Sequence, residues 1–518
     1  MLAPGAVMQH LAMPTDLMPP RISAKPWLAG LFAAWLAGCA SVAPPAPGVT
    51  PQASAQALVR RSLFDPGLQR FITLQMNAPQ PADQAWTLQR LSLAALYFHP
   101  ALRVDRAGVQ LAEADLQMAR QWPNPSLQLG LKYGSAAALL APSPWTVGAA
   151  IGLLLESHAQ RQAQAAQAEA GVRAARLLLR GASWQVRSRV QQAYVALWAA
   201  QQQSQLQQQV LDADLELQGR TAARAQGGWD SPLAAALAQA AAQTAALQRS
   251  RDQGREQVAH AALAAALGVP DAALRAVRID FSALDAAAPQ PDAARLTQLR
   301  GIALAHRDDV RAAWQQERAA QAALQLAQAL RDGGPPMIAP GAERDQGVNR
   351  LTLGVRVPLP LFNQHQGQIA AAHARLARAR AVLQQVQTQV LERIEQAEAA
   401  LRAAQDQTRR AEALHAADLE LLRADEAARH QGLIGPVQVL QAKLRVLAAE
   451  NAALQAHAAQ WQGLGALQAA LQHELQPPDA QMRNTAAPAA AALTPQRKTS
   501  PQPRLSAVAW HPPSSAAL

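Results

Sequence analysis

Thr146-Val-Gly-Ala-Ala-Ile-Gly-Leu-Leu-Leu155 and Thr352-Leu-Gly-Val-Arg-Val-Pro-Leu-Pro-Leu361 lie 206 positions apart and follow one pattern. Both alternate. In the first, Trp145, Val147, Ala149, Ile151, Leu153 and Leu155 make an apolar side opposite Thr146, Gly148, Ala150, Gly152 and Leu154. In the second, Leu351, Leu353, Val355, Val357 and Leu359 lie opposite Arg350, Thr352, Gly354, Arg356 and Pro358. A third segment sets Leu127, Leu129, Leu131 and Tyr133 against Ser126, Gln128, Gly130 and Lys132, with Pro123 and Pro125 at its entry. Period-two alternation over about ten residues is the mark of a transmembrane β-strand, weak for any one segment. The competing reading is a soluble hairpin with one face on a core. A fourth strand, from Met337 to about Asp345, is assigned by symmetry, because its own alternation is poor.

The symmetry extends outward from these strands. Gln160 and Gln162 fall on Gln366 and Gln368 at the same offset; Gly228-Trp-Asp-Ser-Pro232 parallels Gly432-Leu-Ile-Gly-Pro436 at 204, and His99-Pro-Ala-Leu-Arg103 parallels Arg307-Asp-Asp-Val-Arg311 at 208. Such drift fits a duplication with small insertions. Each half predicts a helix (about 86–121 and 299–331), two strands, a proline-free helix (about 156–226 and 365–430), a break, and a return helix (232–267 and 436–475). At 1.5 Å per residue the long helices span roughly 100 Å. Leu383, Val386, Val390 and Ile394 step by three and four, as a packed seam requires. Gly227, Gly228, Pro232, Gly432, Gly435 and Pro436 read as the turns at the helical tips.

Composition agrees with long helices. Half of the 518 residues are hydrophobic, yet aromatics are 4% and charged residues 16%, the rest being largely Ala, Leu and Gln. The +11 formal charge is arginine scattered among Ala and Gln, without the clustered basic face that nucleic acid requires. After the first forty residues no run of 18 apolar residues occurs, so any crossing of a bilayer is by β-strands. No Gly-rich phosphate loop, His-Glu-x-x-His pair or cysteine cluster is present, so the chain reads as no enzyme, with no cofactor and no metal centre. His365 and His373, eight apart, are placed on one helix face without a third ligand.

The single cysteine, Cys39, ends an apolar run, Trp27 to Gly38, that follows Arg21 and Lys25. Leu36-Ala37-Gly38-Cys39 resembles the bacterial lipobox, which implies a signal peptide (1–38, with Met18 an alternative start) and lipidation at Cys39; Ala40 after it implies export to the outer membrane. The remaining divisions are a tether (39–56), a first repeat (57–270), a connector (271–298), a second repeat (299–475) and a Pro/Ala-rich tail (476–518).

Four strands cannot close a membrane barrel, and open edges leave unpaired N–H and C=O groups in hydrocarbon. Eight strands is about the smallest barrel, so at least two copies must combine, and three would make twelve. In such a barrel Gln128, Lys132, Thr146, Thr352 and Arg356 face the lumen.

Over residues 57–475 the chain resembles the TolC family of outer-membrane efflux proteins. Trp122-Pro-Asn-Pro125 is similar to that family's helix-to-strand entry, and Val357-Pro-Leu-Pro-Leu-Phe-Asn363 to its strand-to-helix exit. The extension Gln366-Gly367-Gln368-Ile369 resembles the heavy-metal, CzcC-like subgroup. His306-Arg307-Asp308-Asp309-Val310 resembles the Arg-Pro-Asp-Val helix start with its proline replaced. The resemblance implies a lipid-anchored homotrimer with a twelve-stranded β-barrel and a periplasmic α-barrel. An adaptor and an inner-membrane RND-type pump would dock at the tips, and transport of metal cations or small toxic compounds would be passive. It also implies a pair of acidic residues at the periplasmic entrance; here Val437-Gln438-Val439-Leu440-Gln441 puts Gln438 and Gln441 there, which supply no field to gather cations. The alternative is a periplasmic coiled-coil adaptor or scaffold lipoprotein without a pore.

Overall fold

The computed structural model describes residues 48, 50–77, 84–134, 143–286, 288–331, 333–345 and 347–475. The signal peptide, Cys39, most of the tether and the tail lie outside the described residues. The chain divides between Ala57 and Leu58. Where the sequence reads as tether, helix α1 (Pro51–Val59) forms with none of its residues buried.

The larger unit is helical with one small sheet. Its helices are α2 (Pro66–Met76), α3 (Leu88–Phe98), α4 (Pro100–Arg120), α5 (His158–Gln226), α6 (Pro232–Leu267), α7 (Asp271–Arg275), α8 (Ala293–His306), α9 (Asp308–Ala329), α10 (Gln366–His430) and α11 (Pro436–Leu471). The strands β1 (Ser126–Tyr133), β2 (Trp145–Leu154), β3 (Met337–Asp345) and β4 (Val348–Arg356) form one antiparallel sheet in chain order. Two continuous helices, α5 and α10, carry the frame. Along one stretch they pack with α4 and α9; along the other they pack with α6 and α11.

Each helix expected at the start of a repeat is in fact two. Pro100 forces His99 out of the helical region (ψ 125°), which ends α3 and caps α4. Arg307 makes the same break between α8 and α9 (ψ 145°), with no proline after it. There, the Asp308 N–H donates to Gln472 Oε1 at 2.9 Å, and its carboxylate accepts from Arg180. Arg307 itself is buried. It pairs with Asp309 at 2.7 Å and donates to the carbonyls of Ala469 and Ala470, the last turn of α11.

The principal core lies where the repeats meet, around Trp86, Leu91, Val190, Tyr194, Leu197, Leu263, Val390, Ile394, Leu464 and Leu467. The connector contributes to it: Leu274 and Leu284 are buried, and Trp86 bridges Ile279. Burying one such side chain contributes about 1.5–3 kcal/mol. Farther along the hairpins the contacts are smaller, as at Leu206, Ala213 and Leu447, which lets helices approach closely.

Candidate functional site

Strand register sorts the sheet into two unlike faces. The paired rows are Gln128, Ala150, Gly341 and Thr352; then Gly130, Gly148, Glu343 and Arg350; then Lys132, Thr146, Asp345 and Val348. Leu154, Met337 and Arg356 close the same face at its other end. All five residues expected in a lumen thus share one face, together with Arg350, already placed on the polar side of its strand, and with Glu343 and Asp345 of β3, which the sequence reading missed. Their signal was hidden because β3 alternates poorly. The face is hollow: Gln128, Lys132, Thr146, Glu343 and Thr352 line a concavity of about 260 Å³. Small residues permit the curvature. A Cβ on Gly341 would stand 2.7 Å from the Ala149 carbonyl and 2.7 Å from the Ala150 Cβ.

The opposite face is bare, and apolar except for Arg344 and Asn349 in the row of Leu131 and Val147. Leu129, Leu131, Val147, Leu353 and Val355 are all exposed, and Leu351 is 91% exposed. Aromatic rings mark both ends of the strands. Tyr133 and Trp145 pair at 4.9 Å at one end; at the other, Trp122 lies under the Arg161 guanidinium at 3.5 Å. A bare apolar band between aromatic girdles is the surface a lipid-facing β-sheet presents. Among the described residues no helix is long and apolar enough to cross a membrane.

At the far ends of the hairpins, Gly228 (φ 77°) and Gly432 (φ 75°) adopt the left-handed conformation that reverses the chain. Pro232 and Pro436 then occupy first-turn positions; Ser231 caps the former, and Gly435 precedes the latter. Gln438 and Gln441 are exposed on the first turns of α11. The Gln438 side chain folds over Gly435, beside the Arg224 guanidinium of the other tip. Arg224 holds Asp230 through two contacts of 2.7 and 3.0 Å, and its hydrogen bond keeps that carboxyl below the usual range. Trp229 and Leu433, equivalent in the two repeats, project from the tips at 80% and 71% exposure.

No metal site assembles: among the described residues no group of three His, Cys, Asp or Glu side chains converges. His365 lies outside α10, in the left-handed region (φ 58°), with Nδ1 2.9 Å from Gln368 Oε1. It therefore does not share a helix face with His373.

The family model described as outer membrane efflux protein matches residues 91–269 and 299–473. The chain belongs to that family. The matched segments fall within the expected repeats, 57–270 and 299–475, and leave residues 57–90 and the interval 270–298 unmatched. Family and fold are those of efflux channels, which are not enzymes. Among solved structures, the outer membrane protein VceC of Vibrio cholerae shares 19% identity, covers 75% of this chain and 97% of its own, and has a TM-score of 0.61. The MtrE outer membrane channel of Neisseria gonorrhoeae shares 20% identity over 75% of this chain and 89% of its own (TM-score 0.60). The CmeC outer membrane channel of Campylobacter jejuni shares 14% over 77% and 88% (TM-score 0.62). At these identities the likeness is one of fold. Among curated protein sequences, none matches.

Proposed function

We propose that this member of the outer membrane efflux family is a channel subunit, three copies of which close one pore. The observation that carries the reading is the sheet: a bare, mainly apolar face, a polar concave face, and two edge strands, β1 and β4, whose outer hydrogen-bonding groups need partners. Three copies would supply twelve strands, a common barrel size, and α5, α6, α10 and α11 would prolong the wall into the periplasm. Cys39 would carry the lipid, adding an anchor to the barrel's own hold on the bilayer. The tips, with exposed Trp229 and Leu433, would meet a periplasmic adaptor of an RND-type pump, which supplies the energy. The cargo is a small toxic compound or a metal ion: the likeness of Gln366-Gly367-Gln368-Ile369 to the heavy-metal subgroup points to the metal, the amides of Gln438 and Gln441 away from it. Gln438 and Gln441 would line the periplasmic entrance with amides.

The test uses the exported Cys39→Ala protein, so that lipidation cannot account for membrane association. We expect it to need detergent, to have the mass of three chains by light scattering, and to give discrete conductance steps in planar bilayers. A water-soluble monomer without conductance would contradict the reading and favour the pore-free scaffold.

A further inference from the structure

Five charged side chains stand on the concave face of the sheet, and their distribution is uneven. The edge strands carry all three cations, Lys132 on β1 and Arg350 and Arg356 on β4, whereas both carboxylates, Glu343 and Asp345, sit on the interior strand β3. Asp345 is already engaged. It accepts from Thr146 Oγ1 at 2.6 Å and pairs with Arg350 at 2.8 Å. Among the described residues, Lys132, Arg356 and Glu343 have no ion-pair partner, so the uncompensated groups are two cations and one carboxylate per copy.

Position on the edges amplifies this surplus. Closing the barrel lays β4 of one copy beside β1 of the next, about 4.8 Å away. Each seam then has cations on both sides: Lys132 from β1, and from β4 both Arg356, whose row lies at the other end of the face, and Arg350, which stays paired with Asp345. These side chains line a narrow passage walled by protein and lipid, where a fixed charge acts on a passing ion more strongly than in open water. At the helical tips Gln438 and Gln441 are amides, and Asp230 is neutralised by Arg224.

We infer that the barrel wall makes the pore anion-preferring, set by Lys132 and Arg356 at the seams between copies, and that its cargo class is small organic anions rather than free divalent cations. The inference rests on the pore reading above and chooses between the cargoes it leaves open.

Reversal potentials in planar bilayers under a potassium chloride gradient test it, with the dilute side near 0.1 M, where the Debye length is about 10 Å. The wild-type protein should show a chloride-to-potassium permeability ratio above unity. Lys132→Gln with Arg356→Gln should lower that ratio, and Glu343→Gln should raise it, with conductance steps retained in each. A cation-preferring wild type, or a ratio unmoved by both changes while the steps persist, would overturn the inference and leave the pore standing. Absence of any conductance step in wild type would overturn the pore reading, and the inference with it. Because the Glu343 substitution adds no strain to a seam and shifts the ratio in the opposite direction, poor assembly of the double variant would not remove the test.

Discussion

Arg307 joins one helix start to another helix end. Its guanidinium satisfies the last carbonyls of α11, where the helix dipole favours a cation, and simultaneously pairs with Asp309. Replacing it with methionine leaves a half-buried carboxylate and a helix terminus without a donor, so Arg307→Met should cost about 3–5 kcal/mol of unfolding free energy in chemical denaturation. Burial pushes the Asp309 carboxyl up, but the Arg307 hydrogen bond and charge, with the Val310 N–H and the Arg393 charge, together outweigh it and hold the group below the usual carboxylate range. With the folded value depressed, the Asp309 contribution is complete above the ordinary carboxylate range and is lost as pH falls through the lowered value. The acid limb of a stability profile should therefore be shallower in Arg307→Met than in wild type. The sequence marks Arg307, Asp309 and Val310 through their likeness to the family's helix start. It gives no sign of Arg180 or Gln472, which stand 128 and 164 positions from Asp308 and secure the break that a proline would otherwise enforce. Long-range polar partners leave no periodicity to read.

Among the elements, β3 is the instructive one. Its outward-facing residues, Ile338, Pro340, Ala342 and Arg344, are too mixed to advertise a strand, yet neighbours on both sides impose one. The ladder to β2 lapses at Ile151 and Gly152, opposite Pro340 and Ala339, where proline offers no N–H. Gly341 follows, and its hydrogen atom is all that fits against Ala149 and Ala150. Gly341→Val should split the sheet between its hairpins, and the measurable result is loss of the oligomer band in mild detergent while helical circular dichroism persists. The tip glycines make a gentler case. Gly228 and Gly432 have open space around them, so alanine there pays only the left-handed penalty. Each substitution should cost about 1–2 kcal/mol in denaturation, and the pair should be close to additive. These turns were legible because Gly and Pro act locally. The faces of β1, β2 and β4 were legible for the same reason, since alternation is a property of the segment itself. The breaks within α3–α4 and α8–α9 were not read, although Pro100 had signalled the first of them.

At the scale of the molecule the duplication survives in chemistry as well as in fold. Arg176 pairs with Glu113 at 2.7 Å, and at an offset of 204 Arg380 pairs with Glu317 at 3.2 Å, each tying a long helix to the one before the strands. Such exposed pairs are worth under about 1 kcal/mol, so Glu113→Gln with Glu317→Gln should leave oligomer mass and conductance unchanged. On the proposed reading assembly depends instead on the sheet, since a barrel of about twelve strands would be shared among copies. That sharing requires the bare face of the sheet to lie in lipid and the concave face in water. The direct measurement is fluorescence quenching of a probe attached to single cysteines in a Cys39→Ala background reconstituted into vesicles. Probes at Leu129→Cys and Leu353→Cys should be quenched by lipid-phase agents, and those at Gln128→Cys and Thr352→Cys by aqueous iodide. Equal aqueous quenching at all four positions would contradict the account, for the sheet would then face water on both sides.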